Sequence, residues 1–189
     1  MTQARTLKDK ELKQVLTYIL VATRHSLRNR VMLLATHWSG MRVGEVAALT
    51  YGNVAQADGS IASEIRLTAD QTKGSHARTV FLPEKLRKEL AAYVKAHPCP
   101  NPDAPFFYTQ KRAGFNANTL TQHFFHLYRA AGLDGASSHS GRRSFLTSLA
   151  SKGVGIRILQ SLAGHRSLSV TMKYLDASDD MNRKAVELI

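Results

Sequence analysis

Residues 162–174, Leu162-Ala163-Gly164-His165-Arg166-Ser167-Leu168-Ser169-Val170-Thr171-Met172-Lys173-Tyr174, end one helix, turn a corner and start another. Gly164 supplies the residue type that closes a helix in the left-handed conformation, here a helix expected over Ile156 to Ala163. Ser167 suits the N-cap of the next, expected from Ser167 to Leu175. His165 occupies the corner, and Tyr174 falls nine residues later near the end of the second helix. The same punctuation recurs upstream: Gly141 to Ser151 is closed by Gly153, and Thr119 to Ala131 by Gly132.

The first half repeats this pattern with one interruption. Thr6, with Asp9 three residues on, announces a helix carrying Leu12, Val15, Leu16, Ile19 and Leu20 at helical spacing. Further helices are expected over Leu27 to Thr36 and from about Met41 to Leu49, which places Arg42 in a first turn. Between Ser60 and Pro83 the period changes to two. Ile61, Ile65 and Leu67 alternate with polar residues, Gln71 to Ser75 form a turn, and Thr79 to Leu82 return as a strand. Pro83 then opens a helix from Glu84 to Ala96. Four of the five prolines fall between His97 and Asn118, which reads as a long surface connection with an extended piece at Phe106-Phe107-Tyr108. The expected fold is therefore mainly α with one small β-hairpin, in a single domain over residues 1–189.

Of the 189 residues, 26 are Lys or Arg and 14 are Asp or Glu, a formal net charge of +12 that favours a polyanionic partner. Cys99 is the only cysteine, which excludes a disulfide framework and a cysteine metal site and fits a reducing cytosol. No apolar stretch approaches the roughly 20 residues of a membrane span. A cytoplasmic, nucleoid-associated protein with no membrane partner is expected.

Four clusters carry candidate chemistry. Arg42 stands at a helix N-terminus, where a guanidinium fork and free backbone donors suit a phosphate, and Glu45 lies three residues on to hold it. Lys73 occupies the hairpin tip, with Arg78 on the return strand. His139 and Arg142 share one face at the start of a helix, so that both converge on one anion. The last cluster is His165 and Tyr174. Singly, each has an ordinary account: an exposed ion pair, a solvated turn lysine, a surface histidine, a half-buried tyrosine. His123-x-x-His126 lacks a third ligand, and two histidines on a helix face explain it better than a metal site.

In chain order, Arg42, Lys73, His139-x-x-Arg142, Gly164-His165 and Tyr174 resemble the catalytic set of the tyrosine recombinases of the phage integrase family. The resemblance runs from about Thr6 to the C-terminus. It implies the catalytic-domain fold of that family, without the separate N-terminal DNA-clasping domain usual in its members. It also implies a site-specific recombinase that cuts and rejoins double-stranded DNA through a 3′-phosphotyrosyl intermediate. Asn53 stands where the family often has aspartate, and Ser140-Gly141 where Asp-Leu is more usual.

In that chemistry Tyr174 is the nucleophile, Arg42 and Arg142 grip the non-bridging oxygens, and His165 adds a hydrogen bond. His139 is the base for the phenol, and Lys73 protonates the leaving 5′-oxygen. Glu45 is a supporting residue, while Arg78, Arg143, Arg166 and Lys173 are expected to contact DNA. No metal, nucleotide or other cofactor is required. A type IB topoisomerase shares much of this chemistry, but the histidine in the second arginine cluster and the Gly-His corner favour a recombinase. A non-catalytic regulator on the same fold would be expected to have lost a catalytic residue, and none is lost.

The apolar stripe of a last helix, residues 179–189, must dock somewhere, since the segment is too short to be stable alone. Ala177-Ser178-Asp179-Asp180 reads as a polar hinge that lets it reach a neighbour. A monomer when free and a homo-tetramer on paired DNA sites are expected.

Overall fold

A computed structural model describes residues 4–56, 58–72, 74–111, 113–174 and 186–187. Lys73 and nearly all of the expected assembly helix lie outside these residues. Among those described, the elements run α1 (Asp9–Ala22), α2 (Ser26–Ser39), α3 (Val43–Ala47), α4 (Tyr51–Val54), β1 (Glu64–Leu67), β2 (Arg78–Phe81), α5 (Glu84–Ala96), α6 (Ala117–Ala130), α7 (Ser140–Ser151), α8 (Ile156–Ala163) and α9 (Leu168–Met172).

The centre of the molecule is α2. Val31, Met32, Leu33 and Leu34, four successive apolar residues that together face every side of the helix, are all fully buried. It packs against α1, α5 and α7. The approach to α7 is closest at Gly141, where any Cβ would collide with the Thr36 hydroxyl. This contact gives a physical reason for a glycine beside Arg142. A second, smaller core joins α7 to α8 through Leu146, Ala150, Leu159 and Ala163, and Tyr174 packs against it.

The two strands pair antiparallel, with Ile65 opposite Val80 and Leu67 opposite Arg78. Ile65, Leu67 and Val80 face the core. The hairpin is tied back to the helices by Gln71, whose side-chain amide donates to Asn53 Oδ1 at 2.8 Å and to the Ala48 carbonyl at 2.8 Å. Asn53 Oδ1 also accepts from the Thr50 amide at 3.0 Å, capping α4. Acceptance is all that a carboxylate would supply there.

Several boundaries differ from expectation. The helix expected from Thr6 starts at Asp9, because Glu11 rather than Asp9 accepts from a backbone amide, that of Lys8, at 2.8 Å. Arg42 is the N-cap of α3 instead of lying within its first turn. The helix α4 was not anticipated, and α9 ends at Met172, leaving Tyr174 in the turn that follows. The connection after α5 runs over the surface as expected except at its two phenylalanines. Phe106 and Phe107 are buried and pack edge-on to each other, and Phe106 lies between Tyr51 and Tyr93.

Candidate active site

The site is assembled around the C-terminus of α8. The last carbonyls of a helix have no partners within it and form the negative end of its dipole. Here three of them are met by three different arginines. The Leu162 carbonyl accepts from Arg78 Nη1 at 2.8 Å, Ala163 from Arg142 Nη2 at 2.6 Å, and Gly164 from Arg42 Nη2 at 3.1 Å. Gly164 closes the helix with φ 59°, and a Cβ there would stand 2.7 Å from Arg78 Cδ. A side chain at this position is therefore disfavoured by both backbone and neighbour.

Glu45, 1% exposed, is the one carboxylate in this group. Its two oxygens accept from Arg42 Nη1 at 2.8 Å, from the Arg42 amide at 2.7 Å, and from Arg78 Nε and Nη2 at 2.9 and 2.7 Å. Burial alone would raise its pKa. The hydrogen bond and charge of Arg78, then those of Arg42, outweigh burial and hold the carboxyl below its ordinary value. Arg78 was read from the sequence as a DNA contact, but its fork is occupied by Glu45 and the Leu162 carbonyl.

Arg142, 4% exposed, also donates through Nη1 to the Gly40 carbonyl at 2.6 Å, joining α7 to the end of α2. Burial first, then repulsion from Arg42, lowers its pKa, with Glu45 opposing. His165 Nε2 lies 2.9 Å from Arg142 Nη2. Burial and then the charges of Arg142, Arg42 and Arg78 push its imidazole down to about 4, so it is neutral at pH 7. Three guanidinium groups thus share one carboxylate and a neutral ring. Two positive charges are left unmatched in a largely buried cluster, an arrangement that calls for an anion.

Tyr174 stacks on His165 with ring centroids 5.8 Å apart and planes at 19°. It lines a cleft of about 740 Å³ together with Arg142, His139, Arg143, Lys173 and Arg5. His139 is the exposed N-cap of α7, with Nδ1 3.3 Å from Ser138 Oγ. Arg143 Nη1 donates to the Ala4 carbonyl at 2.8 Å, so its contact runs to the N-terminal segment. A smaller cleft of about 210 Å³ lies between Arg42, Arg78, His165 and Arg166, with Thr72 of the hairpin on its wall. Arg166 and Lys173 are exposed.

The structure therefore brings together Arg42, Glu45, Arg78, Arg142, His165 and Tyr174, with His139 on the same cleft. Sequence reasoning missed Thr171, which is fully buried and whose Oγ1 is 2.9 Å from His165 Nδ1. Its position three residues before Tyr174 was the available signal. His123 lies apart from the site, with Nε2 3.1 Å from Asn29 Oδ1, and is pushed down to about 4 by burial and then by Arg28. Among the described residues, no group of three His, Cys, Asp or Glu is placed to hold a metal, and no helix is long and apolar enough to cross a membrane.

Comparison with known proteins finds relatives along nearly the whole chain. Tyrosine recombinase XerA of Pyrococcus furiosus is 28% identical over 98% of this chain and 62% of its own length. Tyrosine recombinase XerC of Rhodospirillum centenum is 30% identical over 79% of this chain and 42% of its own. The chain spans about three fifths of the length of the XerA relatives it matches. The crystal structure of XerA recombinase has a TM-score of 0.75 at 23% identity, covering 99% of this chain and 66% of that one. The XerH site-specific recombinase bound to difH substrate has a TM-score of 0.68 at 24% identity, covering 98% and 55%. These two solved structures share the fold, mainly helical with a small antiparallel sheet. The model of the phage integrase family matches residues 5–181, a span that holds both arginine clusters, the Gly-His corner and the tyrosine, and to that family the chain belongs.

Proposed function

We propose that this chain is the catalytic part of a site-specific DNA recombinase that cleaves and rejoins strands through a 3′-phosphotyrosyl bond at Tyr174. The observation that carries the reading is the pair of unmatched positive charges beside that tyrosine, in a cluster held by the end of α8. A scissile phosphate supplies the missing negative charge. Each guanidinium has five N–H donors, and three of those of Arg142 are in use, so donors remain for phosphate oxygens. Several structural neighbours are recombinases in complex with DNA, among them the Tn1549 transposon integrase with transposon right end DNA.

The reaction follows from the groups present. Tyr174 Oη attacks phosphorus as its proton passes to His139, and the bond to O5′ breaks while Lys73 gives that oxygen a proton. Arg42 and Arg142 neutralise the pentavalent phosphorane, and His165 contributes a further hydrogen bond. The arginines do the work of charge neutralisation, so the step calls for neither metal nor ATP. The ester conserves the energy of the broken bond, and a 5′-hydroxyl from another duplex reverses the step. Glu45 and Arg78 hold Arg42 in place, while Arg143, Arg166 and Lys173 are assigned to contacts with backbone phosphates. The protein would act where chromosomal DNA lies, as a monomer that becomes a tetramer on paired sites, with residues 179–189 as the assembly helix.

The test is a nicked suicide duplex carrying a site selected from randomised DNA. The expected result is a covalent protein–DNA adduct that forms at the same rate with and without EDTA. Supercoil relaxation on DNA lacking any selected site would favour a topoisomerase, and no adduct would reject the reading.

A further inference from the structure

Both ring nitrogens of His165 are engaged. A guanidinium can only donate, so Nε2 accepts from Arg142 Nη2 at 2.9 Å, and the ring proton stands on Nδ1. Nδ1 then donates to Thr171 Oγ1 at 2.9 Å. Thr171 is 0% exposed on α9, and its carbonyl accepts from the Tyr174 amide at 3.0 Å. One threonine thus holds the imidazole through its side chain and the tyrosine through its backbone, while the two rings stack on each other.

We propose that Thr171 is a positioning residue for His165, its hydroxyl fixing the rotation of the imidazole and, together with Arg142, its tautomer. This rests on the proposed strand cleavage at Tyr174, and it adds a group that cleavage would depend on. A hydroxyl both donates and accepts. Without an anion it accepts from Nδ1–H. When a phosphoryl oxygen enters beside Arg142, it takes over the Arg142 Nη2 donor that Nε2 had accepted from; Nε2 must then carry the proton in order to face that oxygen, and the hydroxyl turns to donate to Nδ1. The ring stays neutral: one proton leaves Nδ1 for water and one is taken from water at Nε2. Valine at this position fills nearly the same space but offers neither bond, leaving Nδ1 without its partner. The groups around the ring support a neutral imidazole, since Arg142 on α7, Arg42 at the start of α3 and Arg78 on β2 all oppose its protonation.

The experiment compares wild type, Thr171→Ser and Thr171→Val. Long-range proton–nitrogen correlation on histidine-labelled, DNA-free protein reads the tautomer, with His165→Gln identifying the signal. Wild type and Thr171→Ser should carry the proton on Nδ1, and Thr171→Val should lose that single pattern. On the suicide duplex, Thr171→Ser should cleave close to the wild-type rate. Thr171→Val should be about 10- to 100-fold slower at unchanged DNA affinity, the range seen when partners orienting metal-bound imidazoles are removed. A wild-type ring protonated on Nε2, a Thr171→Val protein with normal tautomer and rate, or Thr171→Ser as slow as Thr171→Val would each overturn the proposal. If wild type cleaves no DNA, the functional reading fails, while the tautomer pattern still decides whether Thr171 holds the ring.

Discussion

Arg142 reaches three acceptors on two segments: the Gly40 carbonyl at the end of α2, and the Ala163 carbonyl and His165 Nε2 at the end of α8. A lysine keeps the charge but concentrates its donors at one point, so it cannot span the end of α2, the end of α8 and a phosphate together. Arg142→Lys is therefore expected to lower the rate of cleavage on a suicide duplex by about 100-fold or more, the cost of losing a donor aimed at a developing anion. Cleavage at the wild-type rate would show that the fork is dispensable. At this scale the sequence displayed the residues without their bonds. The order Arg42, Arg142, His165 and Tyr174 was legible because the motifs are local. The fork of Arg78 on Glu45 was not, because that pair is 33 positions apart and joins a strand to a helix.

At the scale of elements, the three carbonyls ending α8 are the post on which the arginines are hung. Gly164→Ala places a Cβ 2.7 Å from Arg78 Cδ at a residue with φ 59°. The backbone alone costs about 1–2 kcal/mol, and Arg78 must give way as well. The variant should melt at a lower temperature and cleave more slowly, and wild-type melting and rate would count against the α8 terminus as the organiser of the site. Elements bounded by sharp punctuation were readable to the residue: α5 follows Pro83 and α8 precedes Gly164. In the segment after α5, largely exposed as expected, prolines and polar turns dominate the composition and hide two core positions. Its two phenylalanines take part in the core through contacts with Tyr51 and Tyr93, which no local pattern reveals.

At the scale of the whole molecule, three of the eight imidazoles, those of His37, His123 and His165, are each pushed down to about 4 with burial as the first cause. An unfolded chain protonates these groups near pH 6.5, so between pH 6.5 and 4 the unfolded state binds more protons than the folded one. Stability must then fall as pH drops through that window. Thermal melts should show this loss, reduced in a His123→Gln variant; a flat profile from pH 6.5 to 4.5 would contradict the burial of these rings. Assembly belongs to the same scale. Val170, Met172 and Ile158 are exposed apolar residues near the second core. Deleting residues 181–189 should spare binding to a single site but weaken the pairing of two sites in gel shifts. Unchanged pairing with a lower melting temperature would mean that the segment packs on its own domain.

The central claim is that Tyr174 becomes covalently joined to DNA, and mapping the trapped adduct tests it most directly. After tryptic and nuclease digestion, the nucleotide should be found by mass spectrometry on the peptide from Tyr174 to Arg183, whose only tyrosine is Tyr174. The adduct should be absent from Tyr174→Phe protein that still binds the site. A nucleotide attached to any other residue, or an adduct formed by Tyr174→Phe, would contradict the account.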